Sequence, residues 1–117
     1  MNIQTMTAGA MLALLAGCAN DPAPTQQLRL ADQTVEQARA VGATDDNEAM
    51  KMAVDKLAQA RAQMVDENYK GARLNAEQAE LDARLAEDQL LTAKGQEQIK
   101  VLEARIQRLR KQLGDMQ

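Results

Sequence analysis

The chain of 117 residues contains no histidine, phenylalanine or tryptophan, and it has a single tyrosine and a single cysteine. Histidine is the side chain best suited to moving protons near neutral pH. No Gly-rich phosphate loop or serine-nucleophile motif takes its place. The sequence therefore predicts a non-enzymatic protein with no cofactor and no small-molecule substrate. The missing aromatic rings exclude a thick globular core, because such rings supply much of a core's buried area. Proline stops at Pro24, which leaves the remaining residues free to be helical. Strong charge of one sign is also missing: the net charge of −3 is too mild to imply a nucleic-acid partner.

What is present is 45% apolar, mostly Ala and Leu, interleaved with Glu, Gln, Lys and Arg. That is the composition of long helices and coiled coils. The charge is unevenly placed. Asp21 to Ala93 carries 8 basic and 14 acidic side chains, a balance of −6, whereas Lys94 to Gln117 carries 6 basic and 3 acidic, a balance of +3. An acidic body thus bears a basic tail.

The single cysteine, Cys18, follows an apolar run from Ala8 to Ala16 that is too short to span a bilayer and has the length of a signal-peptide core. The run closes with Leu15-Ala16-Gly17-Cys18, which resembles the bacterial lipobox. That resemblance implies a signal peptide over residues 1–17, cleavage between Gly17 and Cys18, a diacylglycerol on the Cys18 thiol and acylation of the new amino group. A thiol suits the role because it is the strongest nucleophile among the side chains. The basic residues that usually open such a signal are missing, since neither Lys nor Arg precedes Cys18. Residues 18–27, with Pro22 and Pro24 among small polar neighbours, predict a flexible tether. Lipoprotein sorting in many Gram-negative bacteria retains Asp after the cysteine at the inner membrane. Ala19 stands there, which implies the periplasmic face of the outer membrane.

Three apolar seams with alternating three- and four-residue spacing follow, each placing its members on one helix face. They are Leu28, Ala31, Val35, Ala38; then Met50, Ala53, Leu57, Ala60, Met64; then Ala72, Ala76, Ala79, Ala83, Ala86, Leu90, Ala93. Gly42 is a natural C-terminal cap, Thr44 to Asn47 offers N-caps, and Asp66, Asn68 and Gly71 mark the next turn. Links this short make neighbouring helices antiparallel. The expected fold is all-α: a three-helix, hairpin-like bundle over residues 28–95, with a long third helix. The all-small third seam predicts close approach of its partner, with Met50, Leu57 and Met64 supplying bulk. The first helix is expected against Leu74, Leu81 and Leu85.

The stretches "VEQARAVGA", "AVDKLAQARA" and "ENYKGARLNAEQAELDARLAE" resemble small bacterial lipoproteins grouped as domain of unknown function 4398. The last stretch also looks like the helix-turn-helix of tetratricopeptide repeats, with Tyr69 and Ala72 near the turn. The resemblance covers Leu28 to Ala93. It implies an envelope protein of a family sometimes fused to peptidoglycan-binding modules, and it implies no activity.

After Gly95 the apolar positions become Ile99, Leu102, Ile106, Leu109 and Leu113, a heptad with Ile or Leu at a and Leu at d. This seam over residues 96–117 is offset by two residues, roughly 200°, from the Ala seam. It predicts a short coiled-coil extension that projects from the bundle as a docking stripe for another protein or a second copy; a frayed tail is the bland alternative. Arg105 at g and Arg110 at e would face each other in a parallel homodimer, whereas an antiparallel one brings Glu103 near Arg110. These three charges therefore select the partner, and the parallel copy is disfavoured.

Other residues have plainer readings. Asp45, Asp46 and Glu48 lack the spacing of a calcium loop and read as helix-capping groups, so no metal is expected. Tyr69 reads as packing over a turn, and Met50, Met52 and Met64 as adaptable core fillers. The functional expectation is a lipid-anchored module for envelope structure or protein interaction. A tetratricopeptide-like adaptor, marked by a polar groove between the first two helices, is the alternative. A non-covalent wall-associated spacer is the weaker one, because the chain ends in "GDMQ" rather than in a wall-linking lysine.

Overall fold

The computed structural model describes residues 21–116, which form three helices: α1 Thr25–Ala40, α2 Glu48–Val65 and α3 Tyr69–Gly114. The expected signal segment, the expected cleavage site at Gly17–Cys18, the Cys18 thiol expected to be acylated and the expected sorting position Ala19 lie outside the described residues. Helix α1 begins at Thr25, so the extended part of the expected tether is shorter by three residues.

The turns follow from local chemistry. At the end of α1, Ala43 N–H donates to the Ala38 carbonyl and Gly42 N–H to that of Arg39, both at 2.9 Å. This double bond pattern needs a left-handed residue, and Gly42 supplies it at φ +104° without the penalty that a Cβ would bring. Lys94 Nζ donates to the Val41 carbonyl at 2.6 Å, placing a cation at the negative end of the helix dipole. Asn47, one of the expected N-caps, accepts from the Met50 N–H at 3.0 Å and starts α2.

The turn after α2 repeats the α1 ending with a different residue. Asn68 N–H donates to the Gln63 carbonyl and Glu67 N–H to that of Met64. Here Glu67 holds the left-handed position, at φ +58°, which costs a non-glycine residue about 1 kcal/mol or more. Asn68 then caps α3 by accepting from the Gly71 N–H at 3.2 Å.

The Ala seam of α3 is the axis of the bundle. Ala72, Ala76, Ala79, Ala83 and Ala86 are all fully buried. Met50, Ala53, Leu57 and Ala60 of α2 share a buried cluster with Ala76 through Ala86, and so do Ala31, Val35 and Ala38 of α1. Polar pairs flank the seam on both sides. On the α2 side are Lys56–Asp82 at 2.6 Å, Asn47–Gln89 at 2.9 Å and Gln63–Asn75 at 2.8 Å, a sequence of levels that makes α2 antiparallel to α3. On the α1 side are Pro22–Arg73, Gln37–Glu87 and Val41–Lys94, which make α1 parallel to α3.

Three expectations need correction. The first helix does not pack on Leu74, Leu81 and Leu85, which are 55%, 64% and 46% exposed. Those residues sit about 200° round the helix from the Ala seam, and α1 reaches the same seam as α2 because alanines leave room for two neighbours. Met52 is exposed and Met64 half-buried, leaving Met50 as the buried methionine of the three. The seam also stops early: Leu90 is half-buried and Ala93 exposed, because α1 has already ended and α2 has not yet begun at that level.

Candidate interaction surface

Helix α3 runs 46 residues without a break and passes straight through Gly95. Past Gly95 every residue to Met116 is exposed, so the last five turns stand clear of α1 and α2. The residues of the expected stripe, Ile99, Leu102, Ile106, Leu109 and Leu113, are each between 47% and 61% exposed, on one face of the protruding helix. Glu103, Arg105 and Arg110 flank that face and form no ion pair with one another. The pairing partner of Lys100 is Glu97, on the same helix.

An uninterrupted helix has a consequence for residues much earlier in the chain. Counting back by sevens from Leu109 gives Leu102, Gly95, Asp88, Leu81 and Leu74; from Leu113 it gives Ile106, Ile99, Thr92, Leu85 and Gln78. The three leucines expected in the bundle are therefore members of the tail's own heptad. They lie on the outer face of α3, opposite the Ala seam, and they are solvent-exposed. Sequence reasoning missed them because an apolar residue beside a bundle is ordinarily assigned to it. The signal available was the seven-residue spacing itself.

The outer face thus holds two apolar clusters on one helix. Leu74, Leu81 and Leu85 form the inner one, and Ile99 to Leu113 the outer one. Asp88, Thr92 and Gly95 separate them. Contiguous exposed apolar surface of this kind is uncommon on proteins that have no use for it.

Among the described residues no helix is long and apolar enough to cross a membrane, and no group of three or more acidic or cysteine side chains is arranged to hold a metal ion. In the loop before α2, Thr44 Oγ1 donates to Asp46 at 3.4 Å, a local turn contact. Tyr69 is half-buried at the start of α3, over the turn. A polar groove of 480 Å³, lined by Gln33, Gln37, Arg84 and Glu87 among others, lies between α1 and α3 rather than between the first two helices.

The family model described as "Domain of unknown function (DUF4398)" matches residues 26–102, which is most of the chain. The chain belongs to the DUF4398 family. It is also similar to a solved structure, the crystal structure of a DUF4398 family protein from Pseudomonas aeruginosa PAO1, with 56% identity and a TM-score of 0.79. That likeness covers 82% of this chain and the whole of the other. No curated protein matches. The span matched by the DUF4398 model takes in α1 from its second residue, all of α2, the inner leucine cluster and the first two residues of the stripe. Ile106, Leu109 and Leu113 lie beyond it.

Proposed function

We propose that this DUF4398 protein is a non-enzymatic outer-membrane lipoprotein of a Gram-negative bacterium. Cys18 carries the lipid, and α3 presents a helical docking surface in the periplasm. The observation that carries the docking part is the row of exposed leucines and isoleucines on the free face of α3. Exposing that face costs on the order of several kcal/mol at about 25 cal/mol per Å², a cost a partner would remove.

The two ends of the bundle have different tasks. The chain enters beside the start of α3, where Arg73 donates to the Pro22 carbonyl at 3.2 Å and Pro24 is buried. Pro22 is only four positions after Cys18, so a lipid on Cys18 holds that end within about 15 Å of the membrane. The stripe begins 26 residues further along α3 than Arg73, at about 1.5 Å per residue, so it starts roughly 40 Å from the anchored end. Firm attachment takes two or more acyl chains, which the thioether diacylglycerol supplies.

Two experiments test the two halves. Wild type should incorporate labelled palmitate, and Cys18→Ala should lose both the label and membrane association; equal labelling of the mutant would overturn the anchor. A photo-crosslinking residue at Ile106 should trap a protein in cells, and a spectrum with no adduct at that position would overturn the docking surface.

A further inference from the structure

The docking reading leaves the occupant of the α3 face open, and the geometry points to a second copy of this chain. We infer that two copies pair antiparallel along the whole outer face of α3, each tail lying on the bundle of the other. The inference rests on the docking surface proposed above and goes beyond it in naming partner, direction and register.

Three observations fix the register. The first is the match between clusters. In an antiparallel coiled coil, a positions face d positions of the partner. Taking Leu85, Ile106 and Leu113 as a and Leu74, Leu81 and Leu102 as d, one register pairs Leu85 with Leu102, Leu81 with Ile106 and Leu74 with Leu113. Two-fold symmetry doubles each contact, giving six aliphatic layers, and every leucine of the inner cluster finds an exposed stripe residue opposite. The second is the gap. In the same register Thr92 faces Gly95 at the two-fold axis, so two of the three break residues coincide, while Asp88 comes opposite Ile99 and Gln78 opposite Leu109 on either side.

The third is charge. The axis falls between Ala93 and Lys94, where the sequence changes from −6 to +3. Antiparallel pairing about that point lays each basic tail on an acidic body. A parallel pair would lay tail on tail, body on body, Asp88 on Asp88 and Arg105 beside Arg110. A shorter antiparallel pair of tails alone would join two basic segments and leave Leu74, Leu81 and Leu85 in water. The full register does bring Arg105 near Arg84 and Glu103 near Asp82. Both of those inner charges already have partners: Arg84 bonds Glu80, and Asp82 bonds Lys56 at 2.6 Å. Helices α1 and α2 sit on the opposite side of α3, so the outer face is open along its length.

The test uses the full chain with Cys18→Ser, so that only introduced thiols react. Two differently tagged forms are co-expressed, one with Leu81→Cys and one with Ile106→Cys, and oxidised. The expected result is a mixed disulfide between the two tags and little product from either form alone. Sedimentation should show a dimer, and Ile106→Glu should raise the concentration needed for dimerisation more than about tenfold. Both Leu81 and Ile106 are exposed in the single chain, so these changes leave the bundle folded, and unchanged helical circular dichroism checks this. A disulfide formed by the Ile106→Cys form alone would show parallel pairing and overturn the inference. So would a chain that stays monomeric at several hundred micromolar. An Ile106 crosslink in cells to a different protein, with a monomer in solution, would overturn the second copy while leaving the docking surface standing.

Discussion

Replacing Ala79 or Ala83 by leucine tests the feature on which the whole bundle depends. Both alanines are fully buried, in the seam where α1 and α2 meet α3. Their neighbours in the shared cluster are mostly alanines as well, namely Ala31, Ala38, Ala53 and Ala60, so the helices approach closely and little space remains for added carbons. A leucine adds an isopropyl group in place of a hydrogen on the methyl carbon. To admit it, α1 or α2 must shift outward or the new side chain must leave its preferred rotamer. Overpacking of this kind costs about 1–3 kcal/mol. A small domain loses about 4–8 °C of its thermal midpoint per kcal/mol, so each variant should melt roughly 5–20 °C below wild type. Thermal unfolding followed by circular dichroism at 222 nm reads this directly. Ala93→Leu is the control: Ala93 continues the same seam but is exposed, and its midpoint should stay within about 2 °C. If both buried-site variants kept or raised the midpoint, the alanine face would not be the contact surface, and the packing described above would be wrong.

Other outcomes follow from single residues. Gly42→Ala should cost about 1 kcal/mol or more, because φ +104° strains any residue with a Cβ; chemical denaturation measures it. Glu67→Gly should act in the opposite sense and stabilise by about 0.5–1 kcal/mol, since Glu67 holds the equivalent left-handed position at φ +58°; a lower denaturation midpoint would refute this. Ala19→Asp should move the protein toward the inner membrane in a density gradient, and an unchanged profile would show that this sorting rule does not act on it. Arg105→Glu should tighten self-association by giving Arg84 of the other copy an opposite charge, with a lower dissociation constant by sedimentation as the readout.

The sequence by itself determined the helices and their seams. Period, composition and the loss of proline after Pro24 are local properties, and local chemistry also set the caps: only glycine is free of strain at Gly42, and Asn47 and Asn68 carry side-chain oxygens that reach the N–H groups of the next turn. The Ala seam was legible for the same reason, because an all-small stripe has one physical use, the close approach of helices. The exposure of the tail stripe was legible, since Ile99 to Leu113 lie beyond the reach of any predicted partner helix. Tertiary structure alone decided where α1 goes. Alanine leaves room on both sides of one seam, so α1 and α2 share it, and that choice frees Leu74, Leu81 and Leu85. Sequence spacing is the same whether those leucines face α1 or water. It took the unbroken course of α3 through Gly95 to join them to the tail on one face, turning two short heptads into a surface that runs the length of the helix.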